Sequence, residues 1–504
     1  MLSHEAQANN NLKVIFIPLS SKSHMMPLVD MARLFSMHGV DTTIVATADN
    51  AEIFQKSIDR DFSHGQSIKT HVLEFPTEQV KLPVGNETNT DTPRNLTPKI
   101  HEDFVIVQKQ IENYLLGLGE LEVDCIVSDL CYHGTAEAAT KLGIRRIVFT
   151  PASVISRCAE LWFEQHTAHT EVESDSNKFT IVGFPHKLEM TRSQLPCWMR
   201  KPTMFGRIMK VLNDSSRRSY GAVFNSFHSL EGAYEEHYKN AFGTKCWSLG
   251  PVSSWVNQDV SDKAERGHKK VEEEEDEDGD LFKWLNSKKE NSVIYVCFGS
   301  VNKLSTSQLI EIAHALEASS HDFIWVVRKN NDKEGEDEGF MEEFEKRVKE
   351  SNKGYLIWGW APQLLILENK AIGAIVTHCG WSTATESINI GLPMVTWPLF
   401  ADQFFNEKML VDVLKIGVSV GAKEWRNYDE FGSEVVKRNE IEKAIRLVME
   451  NGKEAEEMRL RAKSLSDDAK KAILVGGSSH ANLTLLIEEL KSLKLQRLNA
   501  NKPN

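Results

Sequence analysis

The chain has 504 residues, 41% of them hydrophobic and 26% charged, which is enough to bury two or more large domains and too apolar for a disordered or fibrous chain. Acidic residues outnumber basic ones by 72 to 59, so no global basic field exists to hold nucleic acid or an anionic membrane. Seven scattered cysteines without a Cys-x-x-Cys pair argue against a disulfide framework or a zinc site. With no signal-like N-terminus and no apolar run long enough to span a bilayer, the expected setting is cytoplasmic, with no membrane span.

From Leu12 onward, short apolar runs alternate with amphipathic stretches, the pattern of parallel strands joined by crossover helices. A strand is expected at 14–19. Met26, Val29, Met31, Leu34 and Phe35 then fall at helical spacing until Gly39 supplies a stop. Further strands are expected at 41–47, 71–75, 124–128, 146–150 and 222–225. From 250 to 280 the periodicity fades, and eight acidic residues lie between Glu272 and Asp280, a self-repelling stretch that reads as a linker or exposed loop. A second series of strands follows at 293–298, 323–328, 355–358, 374–377 and 393–397. Gly476, Gly477, Ser478 and Ser479 then precede a last helix running to about 493, with the serines as natural caps. The expected organisation is an N-terminal domain over 1–250, an acidic linker over 251–280, a C-terminal domain over 281–475 and a terminal helix and tail over 476–504. Two doubly wound α/β domains would face a cleft and hold ligand beyond the carboxyl ends of their strands.

The stretch WAPQLLILENKAIGAIVTHCGWSTATESINIGLPMVTWPLFADQ, from Trp360 to Gln403, carries the chemistry. A buried strand at 374–377, a turn of His378, Cys379, Gly380 and Trp381, and a helix starting near Ser382 would aim free backbone N–H groups at a ligand. A helix N-terminus with a histidine and hydroxyls nearby suits a diphosphate, and His378 and Thr383 are the expected phosphate contacts. Trp360 can stack on a base and Gln363 can bond a base or ribose edge. Glu386, one turn past Ser382, can accept both hydroxyls of a ribose, and Asp402 with Gln403 suits adjacent sugar hydroxyls.

These 44 residues resemble the signature box of plant UDP-sugar-dependent glycosyltransferases, from the opening Trp-Ala-Pro-Gln through His-Cys-Gly-Trp to the closing Trp-Pro-Leu-Phe-Ala-Asp-Gln. The resemblance extends over nearly the whole chain. It implies a GT-B type fold of two Rossmann-like domains, acceptor bound by the first and UDP-sugar by the second. Carried over by residue, Trp360 would stack on uracil, Ala361 and Gln363 would hold base and ribose, and Glu386 would bind the ribose. His378, Trp381 and Thr383 fall at diphosphate and sugar positions, Asp402 and Gln403 at the sugar hydroxyls, and Ser300 would reach the phosphates. The family usually has Asn where this chain has Ser382; a hydroxyl can still cap the helix, but an amide contact to the donor would be lost.

In the first domain, Ser20, Ser21, Lys22, Ser23 and His24 follow the opening strand, so His24 faces the cleft and can deprotonate an acceptor hydroxyl. Asp129, at the end of the strand expected over 124–128, can bond the far ring nitrogen and stabilise the imidazolium. The pair resembles the family's histidine and aspartate dyad; the alternatives are an incidental histidine among 17 and a helix cap. The reaction implied is direct displacement at the anomeric carbon of a UDP-α-sugar, giving a β-glycoside, with no metal and no further cofactor.

Gln403 resembles glucosyl-transferring members, so UDP-glucose is the first expectation; UDP-galactose, UDP-glucuronate and UDP-pentoses remain open, with Lys22 the one charge placed to meet a uronate. Phe149, Trp162, Phe163, Cys197, Trp198, Met199, Met204 and Phe205 could wall an apolar acceptor pocket. Segments 188–196, 354–360 and 421–427 resemble legume enzymes that glycosylate triterpenoid saponins, with flavonoids as the second choice. A nicotinamide oxidoreductase is disfavoured because no strand is followed by Gly-x-Gly-x-x-Gly. A non-catalytic UDP-sugar sensor is the other alternative, suggested by Ser382.

Overall fold

Apolar runs bounded by polar residues become inner strands, because a parallel sheet covered on both faces needs side chains that tolerate burial on each. The computed structural model describes residues 11–73, 97–119, 122–266, 277–300, 302, 304–328, 338–426 and 434–500. In its first half these runs form β1 (Lys13–Ile17), β2 (Asp41–Thr47), β3 (Ile68–Leu73), β4 (Cys125–Asp129), β5 (Arg145–Thr150), β6 (Lys178–Ile181), β7 (Leu188–Thr191), β8 (Gly221–Phe224) and β9 (Lys245–Ser248). Seven of them make one sheet in the order β3-β2-β1-β4-β5-β8-β9, parallel throughout. The other two, β6 and β7, pair antiparallel as a separate hairpin. The second half holds β10 (Val293–Cys297), β11 (Asp322–Val327), β12 (Gly354–Trp358), β13 (Ile372–Thr377), β14 (Met394–Thr396) and β15 (Gly417–Ser419). They form a parallel sheet in the order β12-β11-β10-β13-β14-β15.

Each sheet reverses its winding once, between β1 and β4 in the first and between β10 and β13 in the second. The crevices above those strand ends are where such sheets hold ligand. Helix α1 (Lys22–Met37) follows β1. The expected strand at 71–75 is displaced to Ile68–Leu73, and residues 74 and 75 lie outside those described. The hairpin and the short strands β9 and β15 were not expected from the sequence.

Residues 251–266 differ from the linker expected of them. They form α2 (Val252–Val256) and α3 (Val260–Glu265), and Val252, Trp255 and Val256 belong to the core of the first sheet. The core requires a folded segment here because three apolar side chains would otherwise face water. Residues 272–276 of the acidic run lie outside those described, and a helix begins at Glu277 rather than after the run. The second domain contributes α4 (Trp381–Ile390) and α5 (Gln403–Lys408).

The last helix, α6 (Ser478–Ala500), outruns its expected end near 493 and docks on the first domain rather than trailing from the second. Leu483, Leu486, Ile487 and Leu490, at the spacing of one helical face, join the core around β1 and α1. Ser479 Oγ donates to Gly250 O at 2.5 Å, Asn482 Nδ2 to Ser248 O at 3.0 Å and Arg497 Nη2 to Asp124 Oδ1 at 2.6 Å. Since Leu486 is fully buried, Leu486→Ala is expected to lower stability by about 3 kcal/mol, read as an earlier urea midpoint at unchanged slope.

Candidate active site

Both candidate catalytic residues lie at the first sheet's reversal, His24 in the opening turn of α1 and Asp129 as the last residue of β4. His24 Nδ1 stands 2.8 Å from Asp129 Oδ2; Asp129 is wholly buried while 27% of the His24 side chain is exposed. The Cys131 N–H donates to Asp129 Oδ1 at 2.9 Å, so the carboxylate is held at both oxygens. This arrangement directs the His24 Nε2 edge away from Asp129. Burial would lower the His24 pKa, but Asp129, by charge and hydrogen bond, and Asp402, by charge, outweigh it and hold the imidazole above its ordinary value. His24, Asp129 and Cys131 also bring three potential metal-ligand atoms within 4.8 Å.

Across the cleft, Ser300 follows β10 and His378 follows β13, so they occupy the second sheet's reversal. The His378 ring is wedged between two glycines: a Cβ on Gly299 would fall 2.6 Å from it and one on Gly380 2.4 Å. Burial pushes the imidazole down to about 4 against a backbone hydrogen bond with Cys297. The neutral imidazole can offer a hydrogen bond to a diphosphate, whose own charge would raise its pKa. Its Nδ1 is buried without a partner among the described residues, an acceptor or donor that a ligand could satisfy. Cys379 adopts φ +63° in the tight turn, and its carbonyl is held by Asn406 Nδ2 at 2.8 Å.

Three residues of the box sit differently from expectation. The Trp381 indole reaches into the first domain, where it donates to Asn225 O at 2.9 Å, and is buried. Ser382 does not cap α4, whose cap position is Gly380. Its hydroxyl lies 3.5 Å from Ser23 O instead. That carbonyl would meet the N–H of residue 27 in a regular helix, but Pro27 has none, so the proline frees an acceptor beside His24 that the other domain reaches. Gln403 is buried and its Oε1 accepts the N–H groups of Leu399 at 2.9 Å and Phe400 at 3.0 Å, so that oxygen shapes the loop rather than meeting sugar.

The remaining box residues come together. Gln363 Nε2 donates to Glu386 Oε2 at 2.6 Å and lies 3.5 Å from Thr383 Oγ1. Ala361 is buried at the start of this turn, its carbonyl accepting the Gln363 N–H at 2.7 Å. Lys22 Nζ sits 4.6 Å from the centre of the Trp360 ring, joining the His24 loop to the expected base-stacking residue. Asp402 Oδ2 accepts from Asn406 Nδ2 at 2.9 Å, and burial holds its carboxyl above the ordinary value against that bond and the charge of His24.

Two site neighbours escaped the sequence reading. Asn406 is one turn beyond Asp402 and receives the Ser153 hydroxyl at 2.6 Å, so periodicity from Asp402 could have flagged it. Arg266, inside the expected linker, had no such signal. On the acceptor side, Phe149 is wholly buried in the first sheet's core and is not a pocket wall, while Trp162 is buried with its indole donating to Val182 O at 3.0 Å. Phe163, Cys197, Trp198 and Met199 are half-buried, and Met204 and Phe205 are exposed. Trp198 packs edge-on against Trp425 with centroids 5.3 Å apart. Backbone bonds join the same surfaces, Trp425 N–H to Ser193 O at 2.8 Å and Ser193 Oγ to Lys423 O at 2.8 Å. Segment 188–196 and residues 421–426 of segment 421–427, which separately resemble saponin-modifying enzymes, thus meet at one junction; residue 427 lies outside those described.

The family model described as UDP-glucoronosyl and UDP-glucosyl transferase matches residues 245–460. A soyasapogenol B glucuronide galactosyltransferase of Glycine max is 59% identical over 96% of this chain and 97% of its own length. The chain belongs to the UDP-glycosyltransferase family. A scopoletin glucosyltransferase of Nicotiana tabacum is 41% identical over 95% of the chain and 98% of its own. Among solved structures, a Glycyrrhiza uralensis glycosyltransferase complexed with glycyrrhetinic acid 3-O-monoglucuronide superposes with a TM-score of 0.92 at 55% identity, covering 97% of this chain and 98% of that one. The two-sheet architecture of this glycosyltransferase is accordingly GT-B. No helix among its described residues is long and apolar enough to cross a membrane.

Proposed function

We propose that this UDP-glycosyltransferase moves a hexose onto a hydroxyl of a triterpenoid saponin with inversion, His24 and Asp129 acting as the catalytic pair. The observation that carries the mechanism is the 2.8 Å bond between His24 Nδ1 and a wholly buried Asp129 carboxylate. In the reaction, Nε2 takes the acceptor's hydroxyl proton as that oxygen forms a bond to the sugar's anomeric carbon. The bond from that carbon to the diphosphate oxygen breaks, and UDP leaves with its electron pair. The imidazolium so formed is stabilised by Asp129.

In this reading 1–250 binds acceptor and 281–475 binds donor. Trp360, Ala361, Gln363 and Glu386 hold the uridine. Ser300, His378 and Thr383, with the backbone N–H groups of Trp381 and Ser382 at the start of α4, hold the diphosphate, and Asp402 meets the sugar. Triterpenoid acceptors are supported by the soybean relative and by the ligand of the Glycyrrhiza structure, together with the junction of segments 188–196 and 421–426. Full-length similarity to a galactosyltransferase weighs more than the single residue Gln403, so UDP-galactose becomes the first donor and UDP-glucose the second.

The test is UDP release from UDP-galactose, UDP-glucose and UDP-glucuronate against triterpenoid glucuronides, aglycones and flavonoids. Turnover restricted to flavonoids would overturn the acceptor reading, and binding without turnover on any acceptor would favour a sensor. The reading is metal-independent and cytosolic. Excess EDTA is expected to leave the rate within about twofold, because helix N–H groups and hydroxyls can stabilise the leaving diphosphate; loss of activity restored by a divalent ion would sink that point.

A further inference from the structure

Glu386 is among the most enclosed carboxylates of the second domain, with 3% of its side chain exposed. An isolated carboxylate so placed would take up a proton, and a neutral acid is a poor acceptor for two ribose hydroxyls. Burial does push its pKa up, while Arg266 and Gln363 counter the shift. Arg266 Nη1 donates to Glu386 Oε1 at 2.8 Å. The same guanidinium places Nε at 3.0 Å and Nη2 at 2.8 Å from Asp30 Oδ2. Asp30 belongs to α1, whose opening turn carries His24, and its other oxygen accepts from Asn257 Nδ2 at 3.1 Å. One largely enclosed fork, 13% exposed, thus links the catalytic helix of the first domain to the expected ribose carboxylate of the second.

We propose that Arg266 is a positioning residue for the donor's ribose, aiming Glu386 while fastening it to Asp30 on the helix that carries His24. A carboxylate offers about four acceptor positions. Arg266 and Gln363 take one each, leaving room for the 2′- and 3′-hydroxyls, so the arginine serves as a companion of the ribose and not its competitor. The fork geometry is what allows one side chain to hold two carboxylates in different domains, which a lysine ammonium cannot reproduce. The proposal rests on the assignment of Glu386 to the ribose.

Calorimetric titration of the full chain with UDP and with 2′,3′-dideoxy-UDP separates the two ideas. Glu386→Gln is expected to weaken UDP at least tenfold; unchanged affinity would remove the ribose assignment itself. Given that loss, Arg266→Met is expected to weaken UDP by tenfold or more and dideoxy-UDP by less than threefold, raising KM for the UDP-sugar far more than it lowers kcat. Equal losses for both nucleotides, or none for either, would overturn the positioning role. If Arg266→Met does not fold, Arg266→Lys and Asp30→Asn give the same reading, with smaller but ribose-dependent losses expected and ribose-independent ones contradicting the proposal.

Discussion

Replacing His24 by alanine is expected to lower kcat by about a thousandfold, within the range of general-base contributions, while leaving UDP affinity within about twofold. An acceptor hydroxyl is a weak nucleophile until its proton is removed, and His24 is the imidazole bonded to the buried Asp129 carboxylate. Only neutral His24 can act as the base, and its pKa is held above the ordinary value. The acid limb of kcat/KM should therefore fall above about pH 6.5. Asp129→Asn removes the raising charge and so is expected to move that limb to lower pH, while cutting the plateau rate because the imidazolium loses its partner. Single-turnover rates with saturating UDP-sugar across pH 5–9 would check both statements. A His24→Ala variant retaining a tenth of the wild-type rate would rule out the assigned base.

The largest expected effect on stability is at Arg33, not at a core hydrophobe. Arg33 is 2% exposed. It donates to Asp61 at 2.6 and 3.1 Å, to Asn257 at 2.7 Å and to Asp262 at 2.8 Å. Arg60 adds bonds to Asp262 and Glu265. Arg33→Ala would leave the Asp61 and Asp262 carboxylates buried with too little compensation, a loss of about 3 to 5 kcal/mol when one partner of a buried pair is removed. The pH dependence has a definite sign. Burial would raise the Asp262 pKa, but Arg33 and Arg60 outweigh it and depress the value. A depressed carboxyl contributes stability that is present above its unfolded pKa and lost as pH falls through its folded one. The gap between wild type and variant should therefore be full at pH 7 and narrow below about pH 4. Urea denaturation at pH 7 and pH 3.5 reads both limbs; a gap under 1 kcal/mol at pH 7 would refute the account.

How much the sequence told depends on how local each contact is. β1, β4, β10 and β13 were legible because burial on both faces demands uninterrupted apolar runs, and once those strands were placed, the positions of His24, Asp129, Ser300 and His378 at their ends followed. The helical spacing from Ser382 likewise put Glu386 in its place. Destinations across the domain junction were not legible. Nothing near Trp381 says that its indole will bond Asn225 O, 156 residues away in sequence. Nor does anything near Arg266 announce Asp30, 236 residues earlier. Its neighbours pointed to a solvated spacer, since an acidic run follows it. Trp255 was the misread sign, an aromatic that a spacer has no use for and that the core of the first sheet absorbs.

Because α6 completes the first domain's core, that domain is assembled from two segments separated by the whole of the second domain. On the ribosome, even β9, the last strand of that sheet, is complete at Ser248, well before Leu483, Leu486, Ile487 and Leu490 emerge, so the apolar surface those side chains cover stays open while the second domain is synthesised. The first domain cannot reach its final stability as an independent early unit. A chain interrupted after the second domain would leave that surface bare, a target for chaperones and proteases even though every residue assigned to the two reaction centres had already been translated.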